Sequence, residues 1–546
     1  MSTVGADFRV RRKGLGMDIA LRGARVVDGT GAPEYRADVG VHNGRIAEVA
    51  APVSLSARRV VDASGLVLAP GFIDMHSHSD LRVLSEPEHL AKVSQGVTLE
   101  VLGQDGLSYA PVDERTLTAL RAQLAGWNDD PPGFDWNWRS VAEYLDRLDE
   151  GIAVNAAYLV PQGTLRVLCV GSENRPAGEA ELTEMRRVLD RSLREGAFGM
   201  SAGLTYTPGM FADRDELTAL CAVTGERGGF FCPHHRSYGA GALDAYAEMI
   251  EVGAAAGCPL HLAHATMNFD VNEGRAGELL TLLDDAIDSG ADITLDSYPY
   301  LPGCTALHAL LPSWAGEGGV EATLERLRDP ALRARIREVL EVEGSDGCHG
   351  VPVDWDSIEI NGVRRPEVNG HLLGRTVGEV ARAEGKQPTE LYLDVLLSER
   401  LGSSCLMHVG HEENVRAIMR HRAHTAGSDG LLVGDKPHPR AWGTFPRYLA
   451  HYTRELGVLG LEECVNHMTA RAADRLGLPD RGRIREGNVA DLVLFDPDGI
   501  ADTATFDDPR RQAAGISHVL VNGVPVIDEG ERTDALPGHA LRHRCR

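Results

Sequence analysis

Short apolar runs separated by turn residues open the chain, as expected for β-strands joined by tight connections. They are Ile19–Arg22, Ala24–Val27, Ala37–Val41 and Arg45–Val49, with Asn43 and Gly44 supplying a hairpin signal between the last two. Runs of the same kind return near the other end at Ala490–Phe495 and His518–Gly523. These distant segments are expected to pair into one small sheet.

Between them the pattern changes. Apolar runs alternate with helical periodicities, which predicts repeated strand–helix units and a parallel sheet. One helix is predicted over Glu181–Glu195, where Leu182, Met185, Leu189 and Leu193 share a face. A second carries Leu279, Leu282, Leu283 and Ile287. Eight strands are predicted, each ending in a polar or ionisable group: Phe72 to His76 or His78, Val97–Asp105, Val154–Gln162, Ala197–Ser201, Gly229–His234, Pro259–His264, Ile293–Tyr298 and Thr425–Asp429. Eight strands with their chemistry after the C-terminal ends predict a (β/α)8 TIM barrel of the α/β class.

The stretch from about 301 to 405 is too long for one strand–helix connection and reads as an insertion over the barrel mouth, with a helix over Thr376–Gly385. The expected division is a flexible leader at 1–16, a small β-sandwich-like domain from 17–68 and 482–546, and the barrel with its insertion at 69–481.

Composition narrows the function classes. At 546 residues the chain can bury a large core, and no run approaches the ~20 apolar residues of a membrane-spanning helix. A net charge of −25 opposes nucleic acid and anionic lipid as partners, leaving a small-molecule substrate. Basic residues at Arg9, Arg11, Arg12 and Lys13 are followed by no apolar stretch, so a secretory signal is not expected. Nine scattered cysteines without a CxxC pair point to a reducing cytoplasm rather than a disulfide framework. Whether copies associate into a homo-oligomer is left open.

The candidate chemistry lies at the predicted strand ends. His76 and His78 stand two apart, so on extended backbone both imidazoles face one way and can reach one metal ion. Taken alone the pair is a weak signal among 21 histidines. His234 and His264 close two further strands in sequential positions, and Asp429 closes the eighth. Imidazole and carboxylate donors without thiolate suit zinc or another borderline divalent metal. The four lysines, Lys13, Lys92, Lys386 and Lys436, all lie away from predicted strand ends, so a bridge between two ions would need another anion. Asp105 is the first candidate for it. Glu100, within its strand, is the second.

These residues, together with Gly71–His78, Gly199–Gly209, His234–Arg236, Asp296–Tyr300, Gly427–Gly430, His438–Arg440 and Ala490–Asp496, resemble the N-acyl-D-amino-acid deacylases (D-aminoacylases) of the amidohydrolase superfamily. The resemblance runs from Asp18 onward. It implies one or two zinc ions, the tighter on His234 and His264 and a weaker one framed by His76, His78 and Asp429. It also implies that Tyr298 and Arg440 bind the α-carboxylate of the acylated amino acid, a task that suits an arginine fork. Three positions depart from the family pattern: Asp105 replaces a cysteine ligand, Thr266 a lysine, and Cys304 a substrate-binding serine. Asp429 is expected to act as general base and then general acid.

The alternatives are a cyclic-amide hydrolase of the hydantoinase or dihydroorotase kind, and a barrel that has lost catalysis and serves as a scaffold. His235 is assigned to packing, Gln162 and Ser201 to backbone satisfaction at the rim, and His408, His411 and His424 to solvated or capping roles.

Overall fold

The structure, a computed structural model, describes residues 16–545. The leader expected at 1–16 therefore lies, apart from Gly16, outside the described residues. Eight parallel strands form the centre: β1 (Phe72–Asp74), β2 (Val97–Leu102), β3 (Asn155–Pro161), β4 (Gly199–Gly203), β5 (Phe230–His234), β6 (Leu260–Leu262), β7 (Ile293–Ser297) and β8 (His424–Ala426). They are ordered as in the sequence. The ring closes where Met75 N–H donates to Ala426 O at 3.1 Å and Ser77 bridges Gly430 in parallel. Every residue of β2 and β3 is buried, as expected of strands covered on both faces.

The strands end earlier than their apolar runs suggest. The residue carrying the expected chemistry turns into the left-handed region at Asp105 (φ 53°), His264 (φ 31°) and Asp429 (φ 49°), which breaks the ladder just before it. A non-glycine residue held there is strained, and such strain concentrates at functional sites. His76 and His78 likewise lie beyond β1, in the segment held by the Ser77–Gly430 bridge.

Both predicted helices form. Glu179–Arg194 buries Met185, Leu189 and Leu193, and Ala276–Asp288 buries Leu279 and Leu283.

The two chain ends meet in a nine-stranded sheet. Leu492–Phe495 runs antiparallel to both Val67–Pro70 and Ile516–Val521. The runs split by Gly23 are one strand, Met17–Val26, whose pairing shifts register between Leu21 and Ala24. Gly23 sits in that irregularity with φ 74°, a value open to a residue without Cβ. Asn43 (φ 47°) and Gly44 (φ 75°) make the hairpin turn. The sheet folds around its own core, which includes Leu21, Val39, Ile46 and Leu492.

Between β7 and β8 an additional four-stranded antiparallel sheet is built from Gly303–Ala306, Ile358–Gly362, Arg375–Thr376 and Ser404–Met407. It has a separate core around Leu307, Ile360, Tyr392 and Leu396. The predicted helix here is Val377–Glu384. Thr376 Oγ1 accepts from Glu379 N, the Glu379 carboxylate accepts from Thr376 N, and Gly385 closes it at φ 65°. This unit stands at the mouth of the barrel and supplies part of the wall described below.

Candidate metal centre and active site

Asp105 stands at the middle of the rim, because the turn after β2 lifts its carboxylate over the ring. Its Oδ1 lies 3.5 Å from His76 Nε2 and 3.4 Å from His264 Nε2. Its Oδ2 lies 3.5 Å from His78 Nε2 and 3.4 Å from His234 Nδ1. Asp429 Oδ1 completes one half, 3.1 Å from His78 Nε2 and 3.7 Å from His76 Nε2. Donor atoms of His76, His78, Asp105 and Asp429 all fall within 4.8 Å of one another, as do those of Asp105, His234 and His264. The structure thus brings together the six side chains singled out from the sequence, with the Asp105 carboxylate common to a group of four and a group of three.

Two observations show that this arrangement fits a cation. Both ring nitrogens of His76 and Asp105 Oδ1 are buried without a hydrogen-bond partner, a costly condition unless something else engages them. The electrostatics agree. Burial alone would lower the His78 pKa, yet the Asp105 and Asp429 carboxylates push it up to about 10. Burial alone would also raise the Asp105 carboxyl, but His264, His76 and His234 hold it well below the usual carboxylate range. The cluster therefore favours positive charge between its carboxylates, and its donors are those of a borderline divalent metal.

Arg440 is fully buried and forms an ion pair with Asp429, its Nη2 2.9 Å from Oδ2. Burial would raise the Asp429 carboxyl, but Arg440 together with His78, His264 and His76 holds it far below its ordinary value. The guanidinium lies 4.4 Å from the centroid of the Tyr298 ring and also reaches Cys304 O at 3.3 Å. Its Nε and Nη1 have no partner. Tyr298 and Cys304 line a cleft of about 700 Å³, together with His78, Asp105, His234, His264 and Asp429. Tyr298 and Cys304 therefore line the cleft beside the metal candidates, with Arg440 packed against the Tyr298 ring and Cys304 O.

Several side chains around the cluster escaped the sequence reading. Asp296 is fully buried. Its Oδ2 lies 3.1 Å from His261 Nε2 and 3.6 Å from His76 Nδ1, while Oδ1 accepts from His264 N at 3.0 Å. A carboxylate inside an apolar strand needs such partners, and this was the available signal. Thr205 Oγ1 meets His234 Nε2 at 2.7 Å, and Tyr238 Oη meets His264 Nδ1 at 3.0 Å. Nothing in the local sequence marks either. Groups that orient ligating imidazoles typically contribute 10–100-fold to metal affinity or activity. Asp296→Asn should therefore weaken metal binding by about that factor, measured by titration against a chromophoric chelator. Unchanged affinity would remove Asp296 from the support of the site.

The remaining expectations divide. Glu100 pairs with His89 at 2.9 Å and accepts from Ser77 Oγ at 2.8 Å, so it braces the strand behind the rim. His235 packs between the Tyr238 and Tyr246 rings. Gln162 donates to Glu216, and Ser201 Oγ donates to Gly103 O. His408 pairs with Glu359 on the surface, and His411 is the N-cap residue of Glu412–Met419. His424 is neither solvated nor a cap. As the first residue of β8 it is fully buried, 2.9 Å from both Ser297 Oγ and His467 Nδ1.

Comparison with known proteins agrees with this geometry. A model described as the amidohydrolase family matches residues 59–527. The chain is similar to D-aminoacylase of Alcaligenes xylosoxydans xylosoxydans, 34% identical over 96% of this chain and 97% of that protein. It is similar to N-acyl-D-glutamate deacylase of the same organism, 34% identical over 96% of each. Among solved structures, N-acyl-D-glutamate deacylase from Bordetella bronchiseptica, complexed with zinc and a phosphonate mimic of the tetrahedral intermediate, superposes with a TM-score of 0.83. It is 32% identical, with 97% of this chain and 100% of that one covered. The chain belongs to the amidohydrolase family, in its group of D-aminoacylases and N-acyl-D-amino-acid deacylases.

Proposed function

We propose that this chain is a zinc-dependent deacylase that hydrolyses the amide bond of N-acyl-D-amino acids to a carboxylate and a free D-amino acid. The observation that carries this reading is the meeting of four imidazoles and two carboxylates on one rim of the barrel. His234, His264 and Asp105 would hold one zinc ion; His76, His78, Asp105 and Asp429 frame a second position. Zinc bound there polarises a carbonyl and acidifies adjacent water.

The chain's own groups supply the rest. Asp429 is the base that accepts the proton of the attacking water and the acid that returns it to the departing nitrogen. Its Oδ2 is fixed by Arg440, which leaves Oδ1 toward His78 and the cleft. The unpartnered Nε and Nη1 of Arg440, with Tyr298 and Cys304 beside them, form the corner for the α-carboxylate. Nine free cysteines support a reducing cytoplasm, and a charge of −25 argues against nucleic acid or anionic lipid as partner. No described helix is long and apolar enough to cross a membrane.

Turnover of N-acetyl-D- and N-acetyl-L-amino acids by the zinc-loaded enzyme tests the proposal, with hydantoin and dihydropyrimidine rings in the same panel. A preference of about 100-fold or more for the D enantiomer is expected. Hydrolysis confined to the cyclic amides, or a preference for the L series, would refute it.

A further inference from the structure

We infer that Asp74, Lys92 and Ser428 form a positioning triad beneath the rim, which fixes the turn at Asp429 and the backbone of His76 without touching the substrate. The inference rests on Asp429 as the proton carrier and names what holds that carboxylate in place. It follows from a buried ion pair that the chemistry above does not use.

Asp74 is the last residue of β1, and Lys92 comes from the short helix Leu90–Val93. Both are fully buried, as is Ser428. Lys92 Nζ donates to Asp74 Oδ2 at 2.6 Å and to Ser428 Oγ at 2.8 Å. None of these three described side chains lines the cleft.

The other bonds tie the triad to backbone on either side of the proposed ligands. Asp74 Oδ1 accepts from His76 N at 3.2 Å and from Ser428 N at 2.8 Å. Ser428 Oγ donates to Asp74 Oδ2 at 2.6 Å and accepts from Gly430 N at 3.1 Å. With Lys92 and Gly430 both donating to it, the one proton and two lone pairs of that hydroxyl are fully used. Asp429 stands between Ser428 and Gly430 at φ 49°, and its N–H donates to His76 O at 2.8 Å. A left-handed non-glycine residue persists only where its surroundings over-determine it. Here one hydroxyl and one carboxylate hold the residues on both sides.

A buried ion pair adds little net stability over apolar side chains of the same volume, because desolvation offsets most of the attraction. Its distinctive contribution is direction. These bonds converge on the half of the site made by His76, His78 and Asp429, and none of them runs to His234 or His264. An effect confined to one half therefore separates positioning from general stability.

Two variants test the triad: Ser428→Ala, which removes one oxygen and no charge, and the combined Asp74→Leu and Lys92→Met, which replaces the pair by apolar side chains. Each is measured by steady-state kinetics on an N-acetyl-D-amino acid and by zinc titration against a chromophoric chelator. In both, kcat should fall about 10–100-fold, with KM changed by less than about threefold. The second zinc equivalent should bind about 10–100-fold more weakly and the first, on His234, His264 and Asp105, with unchanged affinity. Unchanged kcat and zinc affinity in Ser428→Ala overturns the inference, as does equal weakening of both zinc ions. Loss of rate that only tracks loss of folded protein makes the triad a stability element and overturns it too. Where the wild-type chain holds a single zinc ion, kcat carries the decision. If the wild type turns over no N-acetyl-D-amino acid, the deacylase reading fails, and selective weakening of the second zinc still decides whether the triad positions its half of the site.

Discussion

Asp429→Asn should lower kcat by about 1,000-fold, within the range of a positioned acid–base group, while the barrel stays folded. The amide keeps an oxygen for Arg440 Nη2 and a polar atom near His78, but it cannot accept the proton that the carboxylate takes from water. The substitution also leaves Arg440 buried with a neutral partner, so some loss of thermal stability accompanies it. Three readouts separate the two effects. Far-ultraviolet dichroism should be unchanged, metal on the His234–His264 side should remain, and KM should move far less than kcat. Near-normal turnover would exclude Asp429 as the proton carrier. Parallel loss of fold and rate would make it a structural group.

A larger effect on metal content is expected at Asp105. Its two oxygens stand within 3.5 Å of all four imidazoles, so Asp105→Ala removes the one anion common to both groups of donors. The imidazoles left behind repel any charge they gain and have no carboxylate between them. Zinc measured by atomic emission after dialysis should fall from one or two ions per chain to nearly none, with activity lost in step. The metal's contribution to stability disappears as well, about 4 kcal/mol where free metal stands a thousandfold above its dissociation constant. Asp105→Cys should retain metal, because a thiolate restores an anionic donor at the same turn. If the alanine variant keeps its full complement of zinc, the shared-carboxylate arrangement is wrong.

Much of this site was legible in the sequence because barrel chemistry is written at strand ends. An apolar run such as Phe230–Pro233 announces a buried strand, and the histidine that closes it must point to the rim. Asp105 was found by elimination, since a pair of ions needs an anion and no lysine stood near. Asp296 could have been found on the same logic. A carboxylate in the run Ile293–Ser297 has to be neutralised by neighbours, and His264, just after the adjacent strand, was already suspected. His424 was misjudged because its position after a long insertion looked like loop, whereas pairing with β7 buries it.

The order of strands, the meeting of the chain ends in one sheet and the residues offered to the rim follow from local pattern. Burial of an apolar run depends on nearby residues, and the βα connection has one favoured hand. Tertiary structure alone decided how those side chains meet. The Asp105 carboxylate lies between four imidazoles only because the ring closes and the backbone turns left-handed at Asp105, His264 and Asp429. The pairing of Arg440 with Asp429 and the meeting of Phe269, His349 and Val409 in the cleft lining join segments far apart in the chain. Such contacts depend on where distant elements pack, a property that no local run of residues encodes.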